Sequence, residues 1–226
     1  MSIAFPPALL ASIESAGVIA VLVIDDAKDT LPLAAALIAG GITGIELTLR
    51  TEAGLEAIRL IKRDHPSLLV GAVTVLTPAQ VTQVKAAGAD FAVAPGTSPR
   101  VLAAASTAGI PFGPGIATPS DIEAALEHGA NLLKFFPAES SGGLAYLKTA
   151  TAPYAHLGLK YIPLGGLTAE SMGAYLAEKS VAAIGGSWLA PRDLIQAGNW
   201  SAITDRARRA MEVVRQHRPT SAAVSA

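Results

Sequence analysis

Residues 18–49 read VIAVLVIDDAKDTLPLAAALIAGGITGIELTL, and this stretch decides the fold. Its opening run, 18–24, is apolar and rich in β-branched side chains, which suits a buried strand. The Ala- and Leu-rich segment 30–39 follows, with a Thr at its start and Gly40 at its end, the punctuation of a helix. Residues 44–49 then alternate apolar and polar as a second strand. Strand, helix, strand in so short a span is a parallel crossover unit.

The same unit recurs along the chain. Predicted strands are 18–24, 44–49, 69–73, 91–94, 111–113, 131–136, 160–164 and 181–184, eight in all. Helices are predicted over 30–39, 52–63, 78–87, 99–108, 119–128 and 169–177, several closed by a glycine at 40, 88, 109 or 129 where a left-handed residue ends the helix. Eight such units predict a compact (β/α)8 TIM barrel, with residues 7–15 as an N-terminal capping helix across its bottom. The alternative, a doubly wound open sheet, lacks a glycine-rich phosphate turn after the first strand, which reads VLVIDDAKDT over 21–30.

Of the 226 residues, 51% are hydrophobic and 15% charged, enough to bury one large core, so the chain is read as a single barrel domain. Seventeen basic against 18 acidic residues leave a net charge of -1. No basic field exists to hold nucleic acid or an anionic membrane, and neither is an expected partner. With no cysteine, disulfide frameworks, thiolate zinc sites and cysteine nucleophiles are excluded. The four histidines lack metal-ligand spacing and are given no chemistry. The N-terminal segment has no basic n-region, and no 18-residue charge-free apolar run follows, so a soluble, cytoplasmic protein is expected. The tail after His217, RPTSAAVSA, has no apolar period and is expected to fray, chiefly over 219–226.

Three features carry chemistry. The predicted strand 131–136 embeds Lys134 among Leu132, Leu133, Phe135 and Phe136. Burial disfavours the charged ammonium, so this lysine is a candidate nucleophile for a carbonyl, the ordinary reading being one that snorkels or pairs with a core carboxylate. On strand 44–49 and just past it, Glu46, Thr48 and Arg50 share one face. Glu46 is an acid/base candidate and Arg50 a carboxylate clamp, unless the two merely pair with each other. Thr74, past strand 69–73, offers a hydroxyl to the same pocket or serves as a helix N-cap. Finally, Gly165-Gly166 and Gly185-Gly186-Ser187 fall in the two loops that build a barrel phosphate site. Asp25 and Asp26 read as capping residues of the first turn.

Together GIELTLRT (44–51), VGAVTVLTP (70–78), APGTSP (94–99), FGPGIATPS (112–120), LLKFFPAE (132–139) and IGGSWL (184–189) resemble the 2-keto-3-deoxy-6-phosphogluconate aldolases, also described as 4-hydroxy-2-oxoglutarate aldolases. The resemblance implies a class I aldolase on a homotrimeric barrel, acting on a small keto acid without metal or organic cofactor. It assigns Lys134 as the Schiff-base lysine and Glu46 as the proton shuttle. Arg50 and Thr74 match the pyruvate-carboxylate binders, Phe135 joins the substrate-binding set, and Gly165, Gly166, Gly185, Gly186 and Ser187 match the phosphate loops. Two positions depart from the pattern: Leu164 stands where a Thr often precedes the glycine pair, and Val73 where a Gly often precedes Thr74. Alternatives are an aldolase for an unphosphorylated 4-hydroxy-2-oxo acid, a phosphosugar isomerase or synthase, and a non-catalytic barrel used for binding or assembly.

Overall fold

The computed structural model describes residues 2–218. Helix α1 (Pro7–Ala16) starts on a proline and stops at Gly17, whose φ is 66°. Strand and helix then alternate: β1 (Val18–Leu22), α2 (Thr30–Ala39), β2 (Gly44–Thr48), α3 (Ala53–Asp64), β3 (Leu69–Val73), α4 (Pro78–Ala86), β4 (Phe91–Val93), α5 (Pro99–Ala108) and β5 (Phe112–Gly113). The second half continues with β6 (Gly115–Ile116), α6 (Pro119–Leu126), β7 (Leu132–Phe135), α7 (Gly143–Thr151), β8 (Lys160–Pro163), α8 (Met172–Leu176), β9 (Ile184–Gly186), α9 (Arg192–Gln196) and α10 (Trp200–His217).

All pairings are parallel, in a curled sheet of six with order β5-β4-β3-β2-β1-β9 and a sheet of three, β6-β7-β8. The sheets meet at two places. Pro114, which has no N–H to donate, interrupts one extended run into β5 and β6, and its carbonyl accepts from Lys134 N at 2.9 Å. At the other seam an isolated bridge links Tyr161 to Val181, with Ala182 N donating to Tyr161 O at 2.8 Å.

Alternation along the strands sorts side chains into two apolar layers. An inner cluster holds Phe5, Ile13, Ile19, Val21, Val73, Phe91, Leu132, Ile162 and Ala183. The outer layer lies between strands and helices and includes Ile45, Leu47, Leu133, Phe135 and Ile184. Ile13 of α1 and the Phe5–Phe91 ring contact, 5.7 Å between centroids, close the inner layer at the N-terminal ends of the strands. The two amide–backbone bonds between Asn131 and Phe5, at 2.8 and 3.0 Å, hold that plug in place.

Several expectations are corrected. The last strand is displaced: Val181 makes only the isolated bridge, and β9 runs over Ile184–Gly186, so Gly185 and Gly186 are strand residues paired with Ile19 and Ala20. Helices α7, α9 and α10 were not among the predicted segments. Gly40 stays right-handed at φ -84° because it serves contact: a Cβ there would lie 2.3 Å from Ala207 of α10. Asp26 caps, accepting from Lys28 N, but Asp25 instead binds Arg192 Nε at 2.7 Å and so ties the β1 loop to α9. Arg218, the first residue of the expected frayed tail, is fixed by donating to the carbonyls of Glu14, Val181 and Ala182, while residues 219–226 lie outside the described residues. No helix among the described residues is long and apolar enough to cross a membrane.

Candidate active site

Strand β7 places Lys134 by alternation: Leu133 and Phe135 enter the outer layer, so Leu132 and Lys134 point inward. Lys134 is 4% exposed and therefore does not snorkel to solvent. Burial, helped by the nearby Arg50 charge, pushes its pKa below the usual lysine value, while the Glu46 charge opposes the shift. Its Nζ lies 5.3 Å from the centroid of the Phe136 ring. The amine is thus held in an apolar setting where its neutral, nucleophilic form is favoured.

On β2, Ile45 and Leu47 enter the outer layer, so Glu46 and Thr48 face inward. Glu46 is 1% exposed and its Oε2 has no hydrogen-bond partner in the protein. Burial pushes its pKa above the usual carboxylate value, with the Lys134 charge acting in the opposite direction. The carboxyl and the amine therefore feel one another's charge without forming an ion pair, and Glu46 does not pair with Arg50 either. Both simple salt-bridge alternatives fail. Such a pair, each with its charged form destabilised, suits proton transfer.

Arg50 lies past the end of β2, exposed in a turn rather than on the strand. Thr74 follows β3 with φ 68°, a left-handed conformation that costs a β-branched residue about 1–3 kcal/mol. It is not the helix cap: Thr77 takes that role, accepting from Gln80 N at 3.2 Å. The strain at this half-buried threonine is therefore not accounted for by a capping role.

The two glycine pairs differ. Gly165 and Gly166 form a turn after β8, with φ 105° and 83°. Their carbonyl side is used, Glu139 N donating to Gly165 O at 3.0 Å, while neither glycine N–H engages another backbone carbonyl. Gly185 and Gly186, expected in a loop, are buried in β9, and a Cβ on Gly185 would fall 2.2 Å from Leu164 Cδ1. The need there is for close packing. Ser187 follows exposed, at the start of a 3-10 turn, Ser187–Leu189.

Phe135 is a further correction. It is fully buried in the outer layer, stacked on Tyr146 at 6.2 Å, and offers a ligand no side-chain surface. Phe136 is the aromatic beside Lys134; counting by two from Lys134 would have chosen it. Thr48 shares the inward face of β2 with Glu46.

A family model described as KDPG and KHG aldolase matches residues 10–206. The 2-dehydro-3-deoxy-phosphogluconate aldolase of Dickeya dadantii is 43% identical over 194 residues, covering 86% of this chain and 90% of that protein. Its counterpart from Treponema pallidum is 41% identical over 90% of this chain and 96% of its own length. Among solved structures, the KDPG aldolase of Legionella pneumophila, with pyruvate captured as a covalent carbinolamine intermediate, superposes with a TM-score of 0.83. It is 40% identical and covers 88% of this chain and 96% of that one. The chain belongs to the KDPG and KHG aldolase family.

Proposed function

We propose that Lys134 is the Schiff-base lysine and Glu46 the proton shuttle of this aldolase. The reaction is the reversible cleavage of 2-keto-3-deoxy-6-phosphogluconate to pyruvate and glyceraldehyde 3-phosphate through a lysine imine. Lys134 Nζ adds to the C2 carbonyl, and loss of water gives the protonated imine. Glu46 then takes the C4-hydroxyl proton while the C3–C4 bond breaks and its electrons flow into the imine. An enamine of pyruvate and the free aldehyde result. Protonation of the enamine and hydrolysis release pyruvate and restore the amine.

The observation that carries this reading is one buried amine and one buried carboxyl, on β7 and β2, each inward-facing and neither in an ion pair. Arg50 and Thr74 are read as the pyruvate-carboxylate binders, both lying just past the C-terminal ends of β2 and β3. The free N–H groups of Gly165 and Gly166, with exposed Ser187 beyond β9, favour a phosphorylated aldehyde half. The test is borohydride reduction with pyruvate. Native protein should be alkylated irreversibly at Lys134, and Lys134→Met should fold yet lose cleavage by on the order of 10³-fold or more. Retained turnover in that variant would remove the lysine from the mechanism.

We read both sheets as one (β/α)8 barrel in a single domain, supported by the seams at Pro114 and Tyr161–Val181. A homotrimer in the cytoplasm is the accompanying proposal; subunit contact would cover Leu76, which is 53% exposed.

A further inference from the structure

Among the described residues three buried side-chain atoms have no hydrogen-bond partner: Thr30 Oγ1, Glu46 Oε2 and Thr48 Oγ1. Two of the three sit on the same inward face of β2, two residues apart. Folded interiors leave few such atoms unpaired, so two on one inward face, one of them within the field of Lys134, point to a shared partner brought by the ligand. The sheet itself does not need the Thr48 hydroxyl. Valine has nearly the same shape and high strand propensity, and would leave nothing unpaired. Thr48 is 3% exposed and follows Glu46 toward the C-terminal end of the strand, with Arg50 beyond it.

We propose that the Thr48 hydroxyl is a further catalytic group, binding the oxygen on substrate C2 and holding it against the Glu46 carboxyl while it departs as water. The proposal rests on Lys134 being the imine-forming lysine. After Lys134 Nζ has added to C2, the former carbonyl oxygen is a hydroxyl of a neutral carbinolamine. The nitrogen lone pair forms the C=N bond as the C–O bond breaks. The departing oxygen takes the proton of the Glu46 carboxylic acid and leaves as water, so Glu46 becomes a carboxylate and the imine carries the positive charge. Thr48 neither gains nor loses a proton. Strand geometry permits this: the two Cα atoms are about 7 Å apart and the longer glutamate reaches along the face. One oxygen within about 2.8 Å of each atom would then pair both.

The experiment compares native protein with Thr48→Val and Thr48→Ser, mixing each with pyruvate and quenching with borohydride at short times. The rate of label appearing on Lys134 is read by mass spectrometry, alongside Tm. Thr48→Val should slow imine formation by about 10-fold or more while keeping or raising Tm, because it removes an unpaired buried hydroxyl. Thr48→Ser, which keeps the oxygen, should restore most of the rate. Loss of deuterium from methyl-labelled pyruvate, divided by the imine present, should change little, since water has already left at that stage. A Thr48→Val protein labelled at the native rate overturns the proposal. So does one that no longer folds, or a Thr48→Ser protein as slow as Thr48→Val. If native protein takes no label at Lys134, the Schiff-base reading itself fails and Thr48 falls with it; labelled native protein with an equally fast valine variant removes Thr48 alone.

Discussion

On β2 the inward residues Glu46 and Thr48 are polar, buried and unpaired, whereas on the β8–β9 side the corresponding space is filled by Leu164 lying over Gly185. The first wall accepts an electrostatic cost: a carboxyl without a partner is tolerated because a ligand can supply one. The second avoids such cost altogether and is carbon packed against backbone. A wall of hydrogen-bonding groups discriminates strongly against ligands that leave it unpaired, while an apolar wall mainly senses shape. The pyruvate end should therefore be exacting and the aldehyde end permissive.

The largest effect should come from breaking the polar wall. Glu46→Gln keeps the shape and removes the acid–base function, so cleavage should fall by about 10²–10⁴-fold, together with deuterium exchange into the pyruvate methyl group. Unaltered exchange would return Glu46 to a structural role. Stability offers a second reading of this variant. Burial raises the Glu46 pKa, so the stability this group contributes is complete below the usual carboxylate value of about 4.3 and is lost as pH rises through the raised one. Glutamine does not ionise, and the Tm of Glu46→Gln relative to native protein should climb across that window. A pH-independent difference would contradict the shift.

A smaller effect tests the apolar wall. Gly185→Ala places a Cβ 2.2 Å from Leu164 Cδ1 and should destabilise the fold by about 1–3 kcal/mol in denaturant unfolding. Leu164→Ala in the same protein should recover part of that loss. Strict additivity of the two changes would show that the side chains do not meet.

The smallest effect sharpens the contrast. Leu164→Thr puts a hydroxyl on the permissive wall, and discrimination between the gluconate- and galactonate-derived phosphorylated keto acids should increase. The size is that of one hydrogen bond, about 1 kcal/mol or several-fold in the kcat/KM ratio. Pyruvate imine formation should be unaffected, which separates a specificity change from general damage. An unchanged ratio would mean that the residue does not reach the substrate.

Period-2 alternation made Lys134, Glu46 and Thr48 legible from the chain alone, because a polar residue inside an apolar strand can only face a cleft or be paired. The same alternation rules out Phe135, which falls on the outward face, and selects Phe136, on the face of Lys134. The β9 shift was less visible: AAIGGS has no alternation to read, and Gly185 carries no side chain to mark its face. Helix α10 differs: Ile203, Ala207, Ala210 and Val214 recur at helical spacing along its inward face, a signal present in the sequence though absent from the predicted helices.

By itself, then, the sequence determined the βα alternation, the parallel sheet and the buried lysine and glutamate, since these follow from local periodicity and from the cost of burying charge. Only the tertiary structure decided that Gly185-Gly186 is packed strand while Gly165-Gly166 is an open turn, that Thr74 rather than a cap residue is strained at the mouth, and that Glu46 faces Lys134's field without pairing. Those outcomes depend on which strand lies beside which, through Ile19↔Gly185 and Glu46↔Gly71 pairing, and on contacts between residues far apart in the chain. Local propensity carries no record of such neighbours.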